Sequence, residues 1–163
     1  MLKNLLISIV IIALLGGAAA YFFYQRISNP VEVDSGTAIV EINDTVLNVE
    51  LAKTQQEWAQ GLSDRPSMAE NEGMLFINEQ LILPGFWMKG MEFDLDMIWI
   101  RNGKIVGITE NVPAPNEENE TLQTYNPPTA VNMVLEVNAG WSEKNGIEEG
   151  DVVKVTETKT KGE

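Results

Sequence analysis

The chain contains no cysteine and no histidine. The first absence excludes disulfides, thiol nucleophiles, iron–sulfur clusters and lipid attachment through cysteine. The second excludes a Ser-His-Asp triad, an imidazole base and zinc sites of the usual nitrogen and sulfur kind. Positive charge is scarce too: 11 Lys and Arg against 24 Asp and Glu leave a net charge of −13. Nucleic-acid binding rests on basic surfaces that neutralise phosphates, so no nucleic-acid partner is expected. Carboxylates, hydroxyls, lysine and backbone groups remain as the available chemistry. The length of 163 residues fits one domain.

Acidic residues are missing altogether from residues 1–30, where Lys3 and Arg26 are the only charged side chains. Between them, Asn4 to Gln25 is uncharged, with an apolar heart from Leu5 to Leu15 and an aromatic cluster Tyr21-Phe22-Phe23-Tyr24. As a helix this run would extend about 33 Å at ~1.5 Å per residue, enough to cross a hydrocarbon core of about 30 Å. Tyrosines at its end suit a membrane interface. The expectation is a membrane anchor or signal segment over 1–27, with the helix itself over 5–24. The chain would then be a single-pass membrane protein carrying its acidic domain outside the cytoplasm. The alternative is secretion after cleavage near Ala20, in the small-residue run Ala18-Ala19-Ala20.

Residues 28–36, with Ser28-Asn29-Pro30 and Asp34-Ser35-Gly36, read as a tether. From Thr37 apolar residues alternate with polar ones, as in a half-buried strand. Asn43-Asp44 supplies a turn into Val46–Ala52, making a hairpin. Thr54-Gln55-Gln56-Glu57 is a capping box opening a short helix that ends near Gly61. Further strands are expected at Met74–Ile77, Gly85–Lys89 and Asp94–Arg101, with Gly73 marking a turn into the first. Asn102-Gly103 is a two-residue hairpin signal leading into Lys104–Glu110. A long polar loop, Asn111 to Pro128, precedes a strand over Val131–Val137, a short helix at Gly140–Asn145 and a strand at Asp151–Glu157. The fold class is therefore mainly β (α+β). A compact, mostly antiparallel small barrel or sandwich with two short helices is expected as a single domain over 37–157, with residues 158–163 as a tail.

Several short motifs arrive in a recognisable order. Val49-Glu50-Leu51-Ala52, Gly61-Leu62 with Arg65, Glu72-Gly73-Met74-Leu75-Phe76 and Phe86-Trp87-Met88-Lys89 come first. Leu95-Asp96, Gly103-Lys104-Ile105-Val106, Val134 to Gly140 and Gly146 to Asp151 follow. Together they resemble the prokaryotic domain-of-unknown-function family 192, over roughly Val46 to Val153. Relatives commonly have Asn where this chain has Gly90, and Pro where it has Asp94. The resemblance implies a compact β-rich fold, often exported behind a signal or anchor, and no established activity.

Three groups of residues are candidates for chemistry. At strand spacing Glu92, Asp94 and Asp96 would share one face, where a hard cation such as Ca²⁺ or Mg²⁺ could stabilise their mutual repulsion. No other cofactor is expected. The bland alternative is a solvated acidic face, with Asp96 a structural carboxylate held by Lys89, Arg65 or backbone amides. Trp87, Met88 and Lys89, with Arg65 and Asp96, form a candidate ligand-binding set: Trp87 would stack on a peptide or glycan and Lys89 would contact an anion. The competing reading packs alternate residues into the core and lets Lys89 snorkel outward. Asp96 and Glu136 are the best pair of carboxylates for glycosidase-like catalysis. The leading expectation is a membrane-anchored extracytoplasmic binding or interaction module for an envelope protein or glycan. A carboxylate-based hydrolase of an envelope or glycan substrate is the alternative.

Overall fold

The structure is a computed structural model that describes residues 36–115 and 122–158. The expected membrane helix, most of the tether and the acidic tip around Glu117, Glu118 and Glu120 lie outside the described residues. Among the described residues, seven strands and two short helices follow in order: β1 (Thr37–Ile42), β2 (Thr45–Ala52), α1 (Gln55–Gln60), β3 (Glu72–Ile82), β4 (Leu95–Arg101), β5 (Lys104–Val112), β6 (Val131–Asn138), α2 (Trp141–Lys144) and β7 (Val153–Thr158). They form one sheet in the order β5-β4-β6-β3-β2-β1-β7. Five of its six strand pairings are antiparallel, and β2 with β3 is parallel. That pairing makes the sheet mixed, and its crossover, residues 53–71, carries α1.

Local chemistry accounts for the corners. Asn102 (φ 51°) and Gly103 (φ 75°) both lie in the left-handed region, as the tight β4–β5 hairpin requires. At α1 the capping box forms as expected: Thr54 Oγ1 accepts from the Glu57 amide at 3.2 Å, and Glu57 Oε2 accepts from the Thr54 amide at 2.7 Å. The two edge strands of the sheet meet at one end. Lys104 bridges Val152, the Ile105 amide donates to Asp151 O and the Val153 amide donates to Gly103 O, each at 2.9 Å.

This curvature creates two cores. One cluster takes residues from all seven strands, including Val40, Val49, Leu75, Ile98, Ile105, Leu135 and Val153, so it fills the concave side. The other lies on the convex side of β3, β4 and β6, where Met74, Phe76, Met97, Trp99 and Val134 pack under Leu62 and the loop carrying Phe86, Met88 and Met91. With both faces covered, six of the seven residues of β4 are buried.

The structure corrects three local expectations. Gly85–Lys89 is not a strand, since its only ladder contact among the described residues is a single bridge between Phe86 and Tyr125. β4 starts at Leu95, and the residues before it turn. Gly73 is not a turn residue but part of β3. A Cβ there would stand 2.8 Å from Glu136 O, so glycine lets β3 approach β6.

Candidate functional site

The convex face carries a cavity of about 260 Å³ between the end of α1 and the 85–91 loop. Trp58, Gly61, Leu62, Ser63, Phe86, Trp87, Met91 and Glu136 line it. The capping box sets the start of α1, and Trp58 is then fixed by its own indole, which donates to Ala52 O at 3.0 Å. Gly61 (φ 49°) ends the helix and drops Leu62 into the core. Ser63 Oγ donates to Lys89 O and the Asp64 amide to Gly90 O, both at 2.8 Å, tying the exit of α1 to the facing loop. On that loop Phe86 and Met88 point inward and Trp87 and Lys89 outward, with Trp87 55 % exposed at the rim. Phe86 is wedged edge-on between Phe76 and Trp99, at centroid distances of 5.0 and 5.7 Å.

Glu136 borders this cavity from the sheet. It stands on β6 directly between Met74 of β3 and Met97 of β4, and is 5 % exposed. Its carboxyl has no hydrogen bond or ion pair among the described residues. Burial among apolar neighbours pushes its pKa up to about 8, so the group is largely protonated at neutral pH.

Asp96 belongs to the other side. In the β4–β6 register Asp96 faces Val137 whereas Met97 faces Glu136, so the two acids project from opposite faces of the sheet. They cannot act as a catalytic pair on one substrate, and that expectation is corrected. Asp96 is fully buried and accepts three backbone N–H groups: Oδ1 from Asn111 (2.9 Å) and Gly140 (3.1 Å), and Oδ2 from Ser142 (2.9 Å). It thereby joins the end of β5 to the start of α2. Of the partners considered from sequence, the backbone amides hold it. Arg65 instead forms a two-pronged pair with Glu50, at 2.5 and 2.7 Å, which holds the Glu50 carboxyl below its ordinary range. Lys89 is exposed.

The proposed metal triad does not assemble either. Because Met91 to Asp94 turns, Glu92 is left exposed, Asp94 Oδ1 accepts from the Ala114 amide at 2.8 Å, and Asp96 is occupied as described. Among the described residues no group of three acids is placed to hold a metal ion. Of the ligand-binding set, Trp87 borders the cavity, whereas Met88 is packed into the convex core and Arg65 is engaged elsewhere.

Sequence reasoning missed Trp58, Ser63 and Met91 as cavity residues. Its available signal was Glu136 itself, an acid inside the run Val134-Leu135-Glu136-Val137. Apolar residues on both parities mark a strand covered on both faces, which obliges the acid between them to be buried.

Two solved structures share this fold. A putative transcription regulator from Sinorhizobium meliloti 1021 is 32% identical, with a TM-score of 0.67 over 76% of this chain and 97% of that one. A protein of unknown function from Novosphingobium aromaticivorans DSM 12444 is 29% identical, with a TM-score of 0.62 over 72% of this chain and 83% of that one. No curated protein matches. Residues 38–155 match the family described as "Uncharacterized ACR", and the chain belongs to this domain-of-unknown-function family 192.

Proposed function

We propose that the domain is a ligand-binding module whose site is the convex cavity beside Trp87. The observation that carries this reading is the Glu136 carboxyl, buried without a protein partner among the described residues against a cavity edged by aromatic rings. Burying an unpaired acid costs stability. Binding sites are commonly apolar hollows with a few polar groups of this kind. Hydrolysis is favoured less, because a two-carboxylate mechanism needs a second acid across the scissile bond, and among the described residues Glu136 is the only acid lining this cavity. The uncharged run from Asn4 to Gln25 supports display of the module outside the cytoplasm on a membrane anchor, with an envelope protein or glycan as partner class. Transcription regulation, the role named for the Sinorhizobium protein, is disfavoured here as a direct action on DNA by the net charge of −13.

The test is a screen of small neutral, cationic and anionic compounds against the full-length protein in nonionic detergent, read by tryptophan fluorescence and calorimetry. Saturable binding that Trp87→Ala weakens at least tenfold is expected. Binding unaffected by both Trp87→Ala and Glu136→Gln would place the ligand elsewhere and refute this site.

A further inference from the structure

We infer that the convex cavity takes an organic cation, a substituted ammonium group seated among Trp58, Phe86 and Trp87 with Glu136 as its counter-ion. The inference rests on the binding-module reading and names its ligand class.

Consider first the polar groups that a ligand would meet. Most side-chain donors at the cavity are committed to backbone oxygens: Trp58 Nε1 to Ala52 O, Ser63 Oγ to Lys89 O, and one N–H of Gln60 Nε2 to Ser63 O, which leaves the Trp87 indole N–H at the exposed rim and the rest of the Gln60 amide. Among the described residues no lysine or arginine lines the cavity. An anion would therefore find no charged partner and one acid. A sugar, which needs donors and acceptors in comparable number, would find few beside the Glu136 carboxyl: the remainder of the Gln60 amide and the Trp87 indole N–H at the rim. A cation finds what it requires, a carboxyl able to ionise and aromatic faces whose negative quadrupole attracts positive charge. The surrounding protein adds to this, since a net charge of −13 raises the local concentration of cations around the domain.

Proton bookkeeping gives the inference a signature. In the empty site burial holds Glu136 largely protonated at neutral pH. An arriving cation favours the carboxylate, so binding expels that proton to the solvent and leaves an ion pair. Met74 of β3 and Met97 of β4 flank Glu136. The cavity residues contributed by α1 and the 85–91 loop carry no second titratable group, so one proton accounts for the coupling. Affinity should then rise about tenfold per pH unit between 6 and 7 and level off above about 8.

The experiment uses the full-length protein in nonionic detergent and calorimetric titration with four probes. These are choline, its uncharged isostere 3,3-dimethylbutan-1-ol, n-butylammonium, and a capped tripeptide with a central lysine. Choline or an alkylammonium is expected to bind at least tenfold more tightly than the uncharged isostere at pH 8. Glu136→Gln should abolish that preference while leaving binding of the isostere in place. Release of close to one proton at pH 7 should appear as a dependence of the heat on the buffer. Should Glu136→Gln fail to fold, Trp87→Ala at the exposed rim serves instead, weakening the cations more than the isostere. Tighter binding of the lysyl tripeptide than of butylammonium identifies a protein side chain as the source, and the reverse order a free amine. Either order supports the cation class. Equal affinity for choline and its isostere, insensitive to Glu136→Gln, overturns the cation class and leaves the cavity a binding site. Absence of binding by all four probes at millimolar concentration overturns the cation class, while the binding-module reading stands or falls with the broader screen.

Discussion

Replacing Asp96 with Asn removes one acceptor from a carboxyl that three backbone amides use. The side chain keeps its shape, so the effect is one of hydrogen bonding rather than packing. With the amide oxygen in the place of Oδ1, the bonds from Asn111 and Gly140 survive, and the new NH₂ faces the Ser142 amide across 2.9 Å. Two donors then confront each other at a fully buried position. Flipping the amide satisfies Ser142 but leaves two N–H groups without acceptors, which is worse. A hydrogen bond to a charged group contributes about 1.5–3 kcal/mol, and an unsatisfied buried amide costs about 1–3 kcal/mol. Allowing for local relaxation, Asp96→Asn should destabilise the domain by about 2–4 kcal/mol. With a urea slope of about 1–3 kcal/mol per molar, the midpoint should fall by about 1–2 M at unchanged slope. Equilibrium urea unfolding at pH 7, followed by tryptophan fluorescence, measures this directly. A loss below ~1 kcal/mol would show that the knot between β5 and α2 does not hold the fold in the way described.

Glu136 predicts a pH dependence of stability. Its folded pKa of about 8 lies above the ordinary 4.5, so the native state keeps a proton that the unfolded chain has released between those values, and stability falls across that interval as pH rises. Glu136→Gln should remove the slope. It should match the parent near pH 4 and exceed it by on the order of a few kcal/mol at pH 9; parallel profiles from denaturant melts at several pH values would contradict this. Gly103→Val places a β-branched residue at φ 75° with its Cβ 3.3 Å from Val153 O, and should cost more than ~1 kcal/mol. An unchanged denaturation midpoint would exclude this account of the hairpin. Mass spectrometry of membrane-extracted protein should recover a peptide containing residues 1–20, and a mature chain starting at Tyr21 would reject the anchor.

Features set by neighbouring residues were legible in the sequence. Thr54 and Glu57 cap α1 across three positions, and the left-handed backbone of the adjacent pair Asn102-Gly103 turns the β4–β5 hairpin. Alternation in β1 and β2 shows directly which residues enter the concave core. What could not be read depends on register between strands distant in sequence. Asp96 and Glu136 each looked like an acid on a strand, but whether they share a face depends on Met97 rather than Asp96 standing opposite Glu136. Nothing local encodes that offset. The turn before β4 was hidden for a related reason: Met91 to Asp94 continues the apolar–polar alternation of β4, while Asp94 is drawn off the strand path by the Ala114 amide. The far end of β3 escaped as well, because Asn78 to Gln80 are polar and the ladder to β6 shifts register between Ile77 and Ile82. Nothing local marks Trp58 and Met91 as walls of a cavity, which they become through the packing of α1 against the 85–91 loop.

The pairing of the first strand with the last shapes how this domain folds. β1 has β2 on one side, joined by a two-residue turn, but its other neighbour is β7, with Thr37 opposite Thr158. The hairpin can close as soon as it is synthesised, whereas the second edge of β1 waits for residues more than a hundred positions later. Contacts of such sequence separation raise the contact order and slow folding, since the chain must be ordered over a long loop before they form. Until then β1 presents an open edge of unpaired amides and carbonyls, the kind of surface on which chains aggregate. A nascent chain released before Val153 would keep that edge permanently, so stop codons in the last dozen residues of the domain should yield insoluble product rather than a slightly shortened fold.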